Sequence, residues 1–324
     1  MLSKLLAQHI GVNVAKMRAP NFLERQDEME RAKVARIERG AGWRSVESCP
    51  LCGGAAATHV LTKRGSDMVA CTGCGLYYHR RIPADLGDVY DTGAYEVYSR
   101  PEDDEHFTYR KERFGRERVA ILERHGGPLA GRRLLDIGCG AGWFLAAALE
   151  AGALAFGTDY SIANRTEAAR RTGVPIFDQN LDRLPERDFD IVTLFDVIEH
   201  VPEPLPFLRQ VDRLLRPGGL LLVYTPNADS FAVRAAGPLA SIIDPTEHIL
   251  LFTLDSLRHL GDRMGYELPY LETRGLDVAG CLALPDLAES VDGGFLVRHA
   301  DALQAMIDAA GCGNYARVLY RKRP

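Results

Sequence analysis

From Arg132 onward, short apolar runs alternate with stretches of helical periodicity. The runs are Arg132–Gly138, Leu154–Asp159, Val174–Asp178, Phe189–Asp196 and Gly219–Asn227. This alternation is the pattern of βαβ units. It predicts an α/β fold built on a doubly wound, parallel sheet with helices on both faces. Further on, Thr253–Met264 reads as a helix capped by Thr253 or Asp255, and Tyr266–Thr273 and Ala316–Arg321 read as strands. Residues 276–314 are less regular, with a helix expected at Ala300–Ala310 and a role in covering the substrate site.

The stretch Leu134-Leu135-Asp136-Ile137-Gly138-Cys139-Gly140-Ala141-Gly142 carries the most chemistry. A strand runs into a G-x-G-x-G turn, and a helix over Trp143–Ala151 follows. Glycines let the backbone turn sharply and approach a ligand closely, and the helix start presents unpaired N–H groups. The next strand ends at Asp159, placed to accept hydrogen bonds from ribose hydroxyls. Dinucleotide sites share such a glycine turn. Here, however, the first strand itself ends in Asp136. A pyrophosphate would be poorly served by that carboxylate, whereas a ligand carrying an ammonium and a sulfonium would suit it. The plainer reading is that both acids cap strand ends and the glycines only turn the chain. Cys139 reads as a small filler of the loop.

With these motifs in one order, the chain resembles the class I S-adenosylmethionine-dependent methyltransferases over about residues 105–275. The resemblance implies a Rossmann-like seven-stranded sheet. It makes Asp136, Gly138, Cys139, Gly140 and Gly142 the cofactor loop, and Asp159 the ribose-binding acid with Tyr160 beside it. It puts Asn180 and Leu181 beside the adenine, where the family often carries Asp at the position of Asn180. Phe195 and Asp196 fall at the methionine end, and Glu199-His200 at the rim. Arg216–Gly219 resembles the turn before the fifth strand. Asp244-Pro245-Thr246-Glu247-His248, followed by Phe252-Thr253, resembles the substrate-side segment of members acting on small molecules.

Cys49-x2-Cys52 and Cys71-x2-Cys74 lie eighteen residues apart. Doubled C-x2-C pairs at such spacing predict a tetrahedral structural zinc, four thiolates leaving no position for water. A redox or disulfide pair is the alternative, and seven cysteines fit a disulfide framework poorly. With the sequence downstream, this module resembles the zinc-ribbon front ends of bacterial methyltransferases that act on sugars or natural-product intermediates. Four regions are therefore expected. Residues 1–48 form a helical N-terminal arm with Asn21 and Glu24 as a capping box, and 49–78 the zinc ribbon. Residues 79–130 form a connector with substrate-side helices, and 131–324 the catalytic domain, with a lid or insertion at about 228–250 and 276–314.

Methyl transfer is an in-line displacement that needs alignment more than covalent help, and a base where the nucleophile must lose a proton. The candidates are His248, then Glu247, then His200. A structural hydrogen bond is the alternative role for His248, and an acceptor already nucleophilic would need no base. Tyr95, Tyr98 and Tyr109 either line the pocket or pack it. Ser230–Ile243 is a candidate lid. A net charge of -5 and a pI of about 6.0 weigh against nucleic acid as a partner. No run reaches the roughly 18 apolar residues of a membrane span. Gln8, His9 and Asn13 interrupt the N-terminal apolar run, so no signal peptide is expected and the expected location is cytoplasmic. The expected ligands are S-adenosylmethionine, S-adenosylhomocysteine as product, one zinc and a small-molecule acceptor. Homodimerisation through the N-terminal helix is a further expectation. The competing readings are a methyltransferase that grips RNA or protein through its zinc ribbon, a non-catalytic binding module, and a nicotinamide-dependent dehydrogenase.

Overall fold

The computed structural model describes residues 22–90, 104–282 and 293–324. Asn21, Tyr95 and Tyr98 lie outside the described residues. The chain divides into two compact units. One is drawn from residues up to Asp85, Thr225–Leu257 and Leu271–Arg317; the other from Leu86–Tyr224, Arg258–Tyr270 and Val318–Pro324.

In the first unit, helix α1 spans Phe22–Arg39 and buries Glu30, Lys33 and Ile37. Strands Ala57–Lys63 and Ser66–Cys71 form an antiparallel hairpin, and Tyr77–His79 pairs with the second of them. The fourth strand of this sheet is Leu250–Leu251, which pairs with Tyr77–His79. The sheet that carries the cysteines is thus completed by a segment far along the chain. Trp43–Ser45 and Arg81–Pro83 form a separate two-stranded ladder.

Among the described residues the large sheet has seven strands: β1 Arg133–Ile137, β2 Leu154–Thr158, β3 Ile176–Phe177, β4 Phe189–Phe195, β5 Leu215–Pro226, β6 Glu267–Arg274 and β7 Tyr315–Arg321. Their order is β6-β7-β5-β4-β1-β2-β3. The pairs β1/β2, β1/β4, β2/β3 and β4/β5 are parallel. Every residue of β4 is buried, as a strand covered on both faces requires. Strand order reverses at β1, and open α/β sheets bind ligands outside the carboxyl ends of the strands at such a switch point. The run predicted at Val174–Asp178 is a strand only at Ile176–Phe177.

Helices α2 (Arg116–Gly126) and α3 (Trp143–Glu150) bury Val119, Leu122, Phe144 and Leu145 against Leu134, Ile191, Leu220 and Leu222 of the sheet. Each fully buried Leu or Phe of this kind contributes about 1.5–3 kcal/mol. The helical connector is longer than Arg113–His125: it begins at Asp104 and passes through a π-helical turn at Lys111–Gly115. There Gly115 lets the two helices approach, since a Cβ would lie 2.7 Å from that of Ala147. Helix α4 (Ile162–Thr172) starts at Ser161, whose hydroxyl accepts from Asn164 N–H, and ends at Gly173 in the left-handed region. Helix α5 (Pro204–Leu214) turns Leu205, Leu208, Val211 and Leu214 inward. Helix α6 (Leu254–Met264) is capped by Thr253: its hydroxyl accepts from Ser256 N–H, and Ser256 Oγ accepts from Thr253 N–H. The helix expected at Ala300–Ala310 spans Gly293–Ala309. No helix among the described residues is long and apolar enough to cross a membrane.

Candidate functional site

The glycine loop leaves β1 at Asp136. Gly138 N–H and Cys139 N–H both donate to Thr158 O, at 2.8 and 2.9 Å, which locks the loop to the end of β2. Gly138 has φ +74, and a Cβ there would lie 2.6 Å from Val197 Cγ2. Both facts restrict the position to glycine. Gly142, at φ +86, is the N-cap of α3. Cys139 is buried beside Gly157, and burial pushes its thiol well above the ordinary range. A thiol held protonated is a weak nucleophile.

Asp136 and Asp159 stand at the ends of neighbouring strands, and both are buried. Asp136 Oδ1 accepts from Thr193 Oγ1 at 2.6 Å. Burial raises the Asp136 pKa to about 7, against the opposing pull of Thr193 and the Arg118 cation. Asp159 Oδ2 accepts from Gly140 N–H at 2.9 Å. Its Oδ1 accepts from Ser161 N–H at 2.9 Å and Asn164 Nδ2 at 3.2 Å. Burial still leaves its pKa above the ordinary value. A carboxylate has about four lone-pair sites, so these three donors leave room for one more.

Arg118 of α2 escaped the sequence reading. Its guanidinium lies 3.8 Å from the ring centroid of Phe195, 4.4 Å from Trp143 and 4.7 Å from Tyr224. The three rings stabilise a buried cation electrostatically. The available signal was a charge between Gly115 and Val119–Leu122, on the apolar face of a helix. Phe195 meets Phe144 and Tyr224 edge to face. Asp196, which follows, is exposed at φ +56, a conformation rare outside glycine and concentrated at functional sites. Tyr160 and Asn180 are exposed, and Leu181 is buried. Asn180 N–H donates to Asp178 Oδ1 at 3.0 Å.

In the first unit, His248 is half-buried, and its Nδ1 lies 2.8 Å from Ile242 O. A carbonyl can only accept, so in the neutral ring Nδ1 carries the proton and Nε2 the lone pair. Glu247 is ion-paired with Lys33 of α1. His200 belongs to the second unit; its Nε2 lies 3.9 Å from Glu199 Oε1, beyond hydrogen-bond range.

The four cysteine sulfurs lie within 4.8 Å of one another. Cys49 Sγ to Cys74 Sγ is 3.5 Å and Cys52 Sγ to Cys71 Sγ is 3.4 Å. These are far from a disulfide bond length of about 2.05 Å. They are close to the sulfur–sulfur edge of about 3.8 Å expected of a tetrahedron with Zn–S bonds of about 2.3 Å. Gly54 N–H points at Cys52 Sγ from 3.4 Å. The contact with Cys74 lowers the Cys49 thiol to about 5 and holds the Cys74 thiol far above its ordinary value.

Residues 107–271 match the family model described as a methyltransferase domain. The chain belongs to that family. Among curated proteins it is similar to the ubiquinone biosynthesis O-methyltransferase of Pseudomonas aeruginosa, 33% identical over 144 residues, covering 40% of this chain and 61% of that one. The ubiquinone biosynthesis O-methyltransferase of Ruegeria pomeroyi is 38% identical over 119 residues, covering 34% of this chain and 48% of that one. The chain therefore spans less than two thirds of the length of these relatives. Its fold is similar to that of magnesium protoporphyrin IX methyltransferase from Synechocystis, solved with bound S-adenosylhomocysteine. There the TM-score is 0.50 and the identity 16%, with 73% of this chain and 98% of that one covered. The predicted Rossmann-like seven-stranded sheet is thus the fold that the chain adopts.

Proposed function

We propose that the protein transfers the methyl group of S-adenosylmethionine to a small-molecule acceptor. The observation that carries this reading is the pair of buried carboxylates at the ends of β1 and β2, with Gly140 N–H joining the glycine loop to Asp159. The residues fit the cofactor. Asp159 has an acceptor site for a ribose hydroxyl. Exposed Tyr160 and the Asn180-Leu181 turn would flank the base. Asp136 and Arg118 offer an anion and a cation to the zwitterionic amino-acid end. Bound S-adenosylmethionine would supply a sulfonium methyl as the electrophile. Phe195, Phe144 and Tyr224 would keep water from that end, since displacement proceeds best in a dry, aligned site.

His248 is our candidate base. Its Ile242 partner sets the tautomer with the lone pair on Nε2, ready to take a proton from an acceptor hydroxyl. Glu247 is a weaker candidate, because its carboxylate is already engaged in an ion pair with Lys33. We assign the four cysteines to a structural zinc.

Incubation with methyl-labelled S-adenosylmethionine and a fractionated extract tests the reading. Label should enter the small-molecule fraction, as the ubiquinone-pathway relatives suggest. Label confined to RNA or protein would overturn it.

Two further results are expected. Arg118→Met should weaken S-adenosylhomocysteine binding by about 10- to 100-fold, the loss of a charged hydrogen bond. It should leave binding of 5′-methylthioadenosine, which lacks the amino-acid end, unchanged; calorimetry separates the two. The second concerns pH. Asp136 has a folded pKa raised to about 7, above its unfolded value. The folded protein therefore holds a proton that the unfolded chain has lost. Between about 4 and 7 this group's contribution to stability falls as pH rises. A ligand ammonium needs the ionised form, so affinity moves the other way. S-adenosylhomocysteine should bind about tenfold tighter at pH 8 than at pH 6, and Asp136→Asn should flatten that slope. A flat profile in the unmutated protein would remove Asp136 from the ammonium site.

A further inference from the structure

The turn that delivers His248 is held by a buried charge cluster. Asp244 builds the turn: its Oδ1 accepts from Thr246 N–H at 2.9 Å and Thr246 Oγ1 at 2.6 Å, and its carbonyl accepts from His248 N–H at 2.9 Å. The carboxylate is buried, and its Oδ2 lies 3.6 Å from Lys33 Nζ. Lys33 comes from α1, is itself buried, and also pairs with Glu247. Burial alone would raise the pKa of Asp244; the Lys33 cation and Thr246 override it and hold it at about 2. A second strap runs parallel. Lys63 lies 3.0 Å from Glu30 of α1 and donates to Ile243 O, next to the carbonyl that orients His248. His79 is buried and held near 4 by burial, so it adds no charge here at neutral pH.

We propose that Lys33 is a positioning residue for His248: it neutralises Asp244 and Glu247 together and so holds the turn on which the Nδ1-protonated ring is fixed. This rests on reading His248 as the base. Without Lys33, two carboxylates remain in a dry site with no common cation. Buried charges that lose a partner force a rearrangement or take up protons. Either change alters the Asp244–His248 turn and with it the Ile242 contact.

The test uses full-length, zinc-loaded protein with ¹⁵N-labelled histidine and reads the ring nitrogens of His248 by NMR. His248→Asn assigns the signal. The unmutated protein should show Nδ1 protonated and Nε2 bare. Lys33→Met should shift the pattern toward averaged tautomers while S-adenosylhomocysteine binding stays unchanged, and Lys33→Arg should restore it. Should Lys33→Met not fold, Lys33→Gln removes the charge while keeping a hydrogen-bond donor. An averaged His248 pattern in that folded variant supports the proposal. An unmodified pattern in Lys33→Met, or in Lys33→Gln, overturns it. The readout needs no turnover. If His248→Asn leaves methyl transfer intact while Lys33→Met still changes the ring, the base assignment falls and the coupling stands.

Discussion

Replacing His248 by Asn is expected to lower kcat for methyl transfer by about 10²- to 10⁴-fold, the usual contribution of a positioned base. That corresponds to about 3–5 kcal/mol of transition-state stabilisation. The Asn side-chain amide can still donate to Ile242 O, so the turn should survive and the thermal midpoint should barely move. S-adenosylhomocysteine affinity should be unchanged, because the glycine loop and Asp159 are untouched. A loss in kcat with KM preserved therefore reports chemistry. Rates measured on the acceptor found by labelling decide the matter. An undiminished kcat would mean that the acceptor arrives already nucleophilic and that His248 serves only its hydrogen bond.

The four-cysteine site should produce the largest change in stability. The purified protein is expected to carry one equivalent of zinc, measured by metal analysis. Cys49→Ser should abolish it. Structural zinc in small modules contributes on the order of 10–16 kcal/mol of apparent binding energy at neutral pH, and that energy is folding energy. The cysteine sheet also buries Leu51, Met68, Leu76, Tyr78, Leu250 and Leu251, and Met68 and Leu251 pack with Val233, Ile242 and Ile243, so the loss should be smaller than the binding energy seen in isolated modules. Its last strand, Leu250–Leu251, begins two residues after His248. Loss of metal should therefore lower both the melting temperature and methyl transfer. Cys139→Ser should retain its zinc. A protein that binds no metal, and melts identically with and without a chelator, would return the cysteines to a redox role.

The strand, turn and helix around the glycine loop were legible because their signals are local. Leu134–Gly142 spells strand, turn and helix within one window, and each glycine answers to a dihedral or a near contact at its own position. Asp159 was legible for the same reason. The parts that escaped depend on partners remote in sequence. Nothing around Leu250–Leu251 announces a strand, since two residues have no periodicity, and its pairing with Tyr77–His79 is set by tertiary contact. Lys33 reads as one more charge on a charged helix until Asp244 and Glu247 are brought to it. Arg118 did leave a trace, a cation on an apolar helix face, but its meaning depends on the three rings around it. The π-helical turn at Lys111–Gly115 left none, because it is a packing response to α3 at Gly115.

The fourth strand of the cysteine sheet imposes an order on biosynthesis. Tyr77–His79 emerges early from the ribosome, after Cys49 and Cys52 and close behind Cys71 and Cys74 at the end of its neighbouring strand. The segment that covers its open edge is made only after β5 of the large sheet. Until then the nascent chain carries an unpaired strand edge, the kind of surface that recruits other chains. Closing it joins residues of high sequence separation, a slow step by loop entropy. Chains stalled or truncated before Leu250 would hold an open-edged hairpin, and such fragments should aggregate where the finished protein does not.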